Sequence, residues 1–129
     1  MLKLNVITNN PLAKTKYPSL VEFLDSGAGG VLARARDYIH SGAKLINHPL
    51  SGGVQPGVNP YKSLVVTAAI KSAAPGTDIM SLGLIENAIG SLKEAPAGFE
   101  GYDEKTLEDF MATDLDMLDS AMKSLQYIT

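Results

Sequence analysis

Polar residues that could contact a ligand concentrate in two short stretches of the sequence. Thr8, Asn9 and Asn10 follow an apolar segment and precede Pro11, and a longer stretch, HPLSGGVQPGVNPYKS, occupies His48–Ser63. Both stretches border predicted strands, and ligands of open α/β sheets usually bind where strands end. The two stretches are therefore the candidate binding regions of this chain.

Lys62 is the side chain in these regions best suited to an anionic ligand, because its ammonium group can pair with a carboxylate or a phosphate. Hydroxyl, amide and imidazole groups nearby could complete such a site. The candidate ligand-binding residues are Thr8, Asn9, Asn10, His48, Ser51, Tyr61, Lys62 and Ser63. In the alternative interpretation the asparagines satisfy their own backbone in an Asx-turn, proline and glycine shape a long connector, and Lys62 only flanks a strand.

Two glycine-rich stretches were tested as phosphate loops. Gly52 and Gly57 have the spacing of a Walker loop, but Val58 and Asn59 follow where that motif requires lysine and serine or threonine. The SGAGG run at Ser26–Gly30 precedes a predicted helix, which suits an anion, yet it lacks the G-x-G-x-x-G spacing. The Walker motif is therefore excluded, and the SGAGG run is a weak candidate for a phosphate-binding loop.

Enzyme chemistry is the alternative function. A hydrolase or transferase could use His48 with Lys62, or His48 with Ser51 or Ser63 as a nucleophile, although no nucleophile-elbow motif surrounds either serine. The chain has no cysteine, and the separation of His40 and His48 matches no standard metal site. We therefore predict that the chain has no metal site and no cofactor, and we assign no catalytic residue.

Length and composition predict a single folded domain over residues 1–129. A chain of 129 residues is long enough for one core and too short for two. No apolar run approaches the roughly twenty residues that cross a bilayer, and the first ten residues are too polar for a signal peptide. A cytoplasmic protein without membrane contact is the expectation.

Charge is distributed unevenly along the chain. Up to Ser72 there are eight basic and three acidic residues, whereas from Ala73 there are three basic and eleven acidic ones. Solvated acidic helix faces would explain this, and so would an anion-binding first half with acidic C-terminal helices that face a protein partner. Nucleic acid is not an expected partner of a net-acidic chain. Homo-oligomerisation is left open.

Hydrophobic periodicity predicts an α/β fold in one small layered domain, with about four strands, a crossover helix and two to three C-terminal helices. A helix over 30–40, capped by Asp25 or Ser26, separates the second and third strands. Another helix, capped by Thr77 or Asp78, runs to Lys93 with Ile79 on its buried face. The last helical region begins at 103 and is either one helix or two helices with a break near Thr113. The predicted strands are 2–8, 20–24, 45–47 with an extension to Lys44 and His48, and a fourth that starts at Tyr61 or Ser63 and ends at Ile70.

The order of the strands decides which of the candidate ligand-binding residues meet at one edge of the sheet. If the first and third predicted strands are parallel neighbours, Asn10 and His48 share one edge of the sheet. The glycine-rich stretch would then fold over that edge.

Several short motifs, in this order, resemble the GrdX-like family. They are TNNP at Thr8–Pro11, RDYIHSG at Arg36–Gly42, HPL at His48–Leu50, PYKS at Pro60–Ser63 and IEN at Ile85–Asn87. Members of this family are small proteins associated with operons for glycine, sarcosine or betaine reductase in anaerobic bacteria. The resemblance implies an accessory role beside a multi-subunit reductase and carries over no catalytic residues. The SGAGG run and the GGVQPG loop depart from the family pattern.

Overall fold

A three-stranded sheet lies at the centre of the computed structural model, which describes residues 3–49, 59–67, 77–94 and 98–128. Four helices accompany the sheet, so the predicted α/β class is confirmed. In chain order the elements are β1 (Leu4–Thr8), α1 (Pro11–Lys16), β2 (Val21–Phe23), α2 (Ala28–His40), β3 (Ser63–Thr67), α3 (Ile79–Glu94) and α4 (Glu104–Ile128).

The strand order is β2-β1-β3, so that β1 is the central strand. It runs parallel to β2 and antiparallel to β3. Val6 and Ile7 of β1 are both fully buried although they point to opposite faces, as expected of a strand that is covered on both sides. The predicted crossover helix is α2, which connects β2 to β3.

The third predicted strand, Leu45–Asn47, is only an extension of the sheet beyond β3. Leu45 forms a single bridge with Val66, and the side chain of Asn47 then accepts from the Val65 N–H and donates to the Ser63 carbonyl. Because an amide side chain takes over the role of the backbone there, the ladder stops after one bridge. The prediction of about four strands is corrected to three among the described residues, and residues 68–70 of the fourth predicted strand lie outside them.

Alternation along the strands builds two cores, one on each face of the sheet. On one face Ile7 and Leu64 pack with Leu32 and Ile39 of α2 and with Ile85 of α3. On the other face the strands pack against α1 and α4; this second core contains Val6, Val65, Ala13, Leu118 and Leu125. Helices therefore cover both faces of the sheet.

Two predictions about helix starts are wrong. The N-cap residue of α2 is Gly27, which has no side chain to cap the helix, and the Ser26 hydroxyl donates to the Gly27 carbonyl. Ile79 is 76% exposed, since the buried part of α3 begins further along the helix. The predicted cap at Asp78 is confirmed, as its carboxylate accepts from the backbone N–H and the hydroxyl of Ser81.

The last helical region is one helix without a break near Thr113, because α4 is continuous from Glu104 to Ile128. The Thr113 hydroxyl donates to the Asp109 carbonyl one turn earlier, so it does not cap a new helix. Asp103 caps α4 by accepting from the Thr106 N–H. In the part of the chain that the structure describes, no helix is long and apolar enough to cross a membrane.

Candidate functional site

The carboxyl end of β1 meets the amino end of β3 at one edge of the sheet. Thr8 pairs with Ser63 as the last pair of the ladder. One residue further, the Asn9 N–H donates to the Lys62 carbonyl at 3.3 Å, and the Lys62 N–H donates to Asn9 Oδ1 at 2.8 Å. The backbone of Lys62 is therefore held on both sides by a single asparagine.

The same asparagine joins this edge to the loop before α2. Asn9 Nδ2 donates to the Ser26 carbonyl and to the Pro60 carbonyl, each at 2.9 Å. Asn9 is only 4% exposed, so these bonds are formed away from bulk water. As a result, the start of α2 is fixed beside the segment that contains Lys62.

The amino end of α2 has the features of an anion-accepting helix end. The first N–H groups of any helix lack intrahelical acceptors, and the macrodipole makes this end positive. Here the N-cap Gly27 supplies no side-chain acceptor. A Cβ placed on Gly29 would meet nothing within 4 Å, which leaves the backbone open to approach. Glycine at this position thus lets an anion reach the N–H groups.

Lys62 is half-buried and forms no ion pair within the described ranges. Burial lowers the pKa of its ammonium group, and the charge of Asp114 opposes this only in part. Since Lys62 pairs with Asn9 and side chains alternate along the ladder, Lys62 is placed on the face of the sheet that carries α2. Through Asn9, the backbone of Lys62 therefore lies close to Ser26, beside the start of α2.

A second polar cluster lies on the opposite face, beneath α4. The Ser63 hydroxyl donates to Asp114 Oδ2 at 2.6 Å, and Asn10 Nδ2 donates to the same oxygen at 2.9 Å. Because Ser63 has one hydroxyl proton, the Thr8 hydroxyl must donate in turn to Ser63, 2.6 Å away. The Asn10 N–H donates to Thr8 Oγ1 at 3.0 Å and completes the chain.

Asp114 is 8% exposed and is the charged member of this cluster. Burial raises the pKa of its carboxyl group, while the bonds from Ser63 and Asn10 and the charge of Lys62 lower the pKa less strongly. The sequence-based prediction missed Asp114 because acidic residues in helices usually face solvent. Its position, four residues before Leu118 on the apolar stripe of α4, is the signal that indicates burial.

Asn10 serves a structural role at this edge. Its Oδ1 accepts from the Leu12 N–H at 3.0 Å as the N-cap of α1, which matches the alternative of an asparagine that satisfies its local backbone. Its Nδ2 also donates to the Met111 carbonyl at 2.9 Å and so attaches α4. The side-chain nitrogens of Asn9 and Asn10 thus donate to groups of this chain.

The structure brings six of the eight candidate residues to this edge, namely Thr8, Asn9, Asn10, Tyr61, Lys62 and Ser63. Tyr61 is 9% exposed, and its ring packs edge-on against Phe99 with 5.2 Å between ring centroids. His48 is exposed and follows the segment on the far side of β3, so β3 separates it from Asn10. Ser51 lies outside the described residues. In the described ranges, no three His, Asp or Glu side chains are grouped to hold a metal ion.

The fold and this edge define a small α/β protein in which a three-stranded mixed sheet presents one polar cluster on each face. The model of the GrdX-like protein family matches residues 5–123, and the chain belongs to that family. Comparisons with curated proteins and with solved structures found no similar protein. Family membership supports the predicted role as an accessory protein linked to glycine reductase.

Proposed function

We propose that this accessory protein binds a small anion at the edge where β1, β3 and α2 meet. We call this region the anion site and define it by Lys62, Asn9 and the amino end of α2 at Gly27–Gly30. The observation that carries the proposal is a half-buried lysine without an ion pair in the described ranges, held by Asn9 beside a helix start that no side chain caps.

Two sources of positive potential favour an anion here. The ammonium group of Lys62 is partly desolvated, so a bound counter-charge would remove an energetic penalty. The Gly30 N–H already donates to the Gly27 carbonyl at 3.1 Å, and the N–H groups before it at the start of α2 are the directional donors that suit the oxygens of a carboxylate or a phosphate.

A protein partner is the second part of the expected accessory role. The exposed side of α4 carries Glu104, Glu108, Asp109 and Asp116. This surface is the part of the acidic C-terminal half that we expect to face a partner.

Replacing Lys62 by alanine is expected to weaken anion binding about tenfold or more, because one charge-assisted contact contributes roughly 1.5–3 kcal/mol. Isothermal titration calorimetry with phosphate, acetyl phosphate, glycine and betaine measures the affinity of each. Lys105→Ala is the matched control, since Lys105 is an exposed lysine on α4. If none of the four compounds binds the parent protein, or if Lys62→Ala binds as tightly as the parent, the proposal is wrong.

A further inference from the structure

The anion site and the cluster beneath α4 are linked by two pairs of residues that are neighbours in the chain, with one member of each pair in each cluster. Asn9 holds Lys62 and the start of α2, while the next residue, Asn10, holds α4 through the Met111 carbonyl and Asp114. Likewise Lys62 belongs to the anion site, and the next residue, Ser63, donates to Asp114. The two clusters are therefore one residue apart in the chain, both just after β1 and at the start of β3.

We infer that occupation of the anion site is coupled to protonation of Asp114, so that this protein takes up a proton when it binds an anion. The inference rests on the proposed anion site and describes how that site is regulated. Because Asp114 belongs to α4, its protonation on anion binding would change the charge of that helix.

The electrostatic step follows from the charges around Asp114. The carboxylate is buried, and Lys62 is the positive group that lowers its pKa. An anion beside Lys62 offsets that positive charge, and the carboxylate then loses part of its stabilisation in a medium of low dielectric. Proton uptake by Asp114 restores the charge balance.

Other charged groups on the elements around Asp114 are engaged elsewhere. On α1, Lys16 pairs with Asp119 at 2.7 Å and Lys14 lies over the ring of Phe23. On α4 itself, Asp119 also accepts from the Tyr17 hydroxyl at 2.5 Å. From the end of β1 and the start of β3 the cluster receives the hydroxyls of Thr8 and Ser63 and the amide of Asn10, which are neutral. Lys62 is therefore the group through which an anion acts on Asp114.

Sulfate is the probe of choice because it does not titrate between pH 5 and 8. Calorimetric titration in buffers of different ionisation enthalpy measures the number of protons taken up per sulfate bound. The parent protein is expected to take up a measurable fraction of a proton, and Asp114→Asn is expected to lose that uptake while it still binds sulfate. The carboxamide of asparagine can still accept from Ser63 and Asn10. Asp116→Asn, an exposed change on the same helix, is expected to leave the uptake unchanged.

Ser63→Ala provides a second test that does not depend on folding of the Asp114 variant. Removing the hydroxyl that donates to Asp114 is expected to move the midpoint of proton uptake to higher pH. Sulfate binding without proton uptake, or equal uptake in the parent and Asp114→Asn, overturns the coupling and leaves the anion site standing. Absence of sulfate binding to the parent protein overturns the coupling, and it overturns the anion site as well if phosphate, acetyl phosphate, glycine and betaine also fail to bind.

Discussion

Asn10→Ala is expected to lower the free energy of unfolding by about 3–5 kcal/mol, which is a large part of the stability of a domain of this size. The substitution removes the N-cap of α1, which contributes about 1 kcal/mol. It also removes both donors that hold α4, at the Met111 carbonyl and at Asp114 Oδ2. Asn10 is fully buried, so water cannot readily replace these bonds.

Thermal and urea unfolding followed by circular dichroism measure this loss. Asn87→Ala is the matched control, because Asn87 lies on the exposed side of α3 and is expected to change stability by no more than about 0.5 kcal/mol. A loss of less than about 1 kcal/mol for Asn10→Ala would show that the α4 contacts do not contribute as argued.

Asn10→Asp separates the capping role from the contacts with α4. Aspartate keeps an acceptor for the Leu12 N–H but has no N–H groups, and it places a second carboxylate next to Asp114. Like charges raise the pKa of both carboxyl groups in the folded state above their values in the unfolded state. The folded state then binds protons more tightly, so stability relative to the parent should fall as pH rises through the range in which the pair ionises. A pH-independent difference would contradict this account.

Gly30→Ala is expected to destabilise the protein by about 1–3 kcal/mol, even though alanine is the better helix former. An ideal Cβ at position 30 would lie 2.8 Å from the Cβ of Ser26 and would also overlap its hydroxyl oxygen. The loop cannot move away freely, because the Ser26 carbonyl accepts a hydrogen bond from Asn9. Movement of Ser26 away from the clash would therefore disturb its hydrogen bond with Asn9 at the end of β1.

The neighbouring glycine is a strict control for this prediction. Gly29→Ala meets nothing within 4 Å on an exposed helix turn and is expected to be neutral or to stabilise by up to about 1 kcal/mol. The double variant Ser26→Gly with Gly30→Ala is expected to recover most of the lost stability. Equal unfolding midpoints for the two alanine variants would refute the steric argument.

Local patterns in the sequence predicted most of the individual elements correctly. Hydrophobic periodicity indicated β1, β3 and α2, and the structure buries Val31, Leu32, Ala35 and Ile39 of α2 in the core. Gly42 follows the end of α2, and its φ of 106° is the left-handed conformation that glycine favours. These features depend on residues close together in the chain.

Errors occurred where a contact between distant residues decides the local structure. Asn47 ends a ladder through bonds to Ser63 and Val65, so a short apolar run did not become a strand. Thr113 resembles an N-cap, yet packing of Leu118 and Leu125 on the sheet keeps α4 continuous through it. Ser26 was a plausible cap, but its hydroxyl bonds to Gly27. Propensity is a weak prior when tertiary packing competes with it.

The order of amino acids alone was sufficient for the α/β class, for family membership and for the expectation that the end of β1 and the stretch around Lys62 are important. The pairing of strands decided which of those residues meet, because it brings Asn9 to Lys62 and Thr8 to Ser63 across more than fifty positions in the chain. Packing of α4 then added Asp114, whose carboxylate is buried only because a helix folds back over the sheet. Burial and charge proximity are properties of three-dimensional contact, and for that reason only the tertiary structure places a lysine and a carboxylate on either side of one sheet edge.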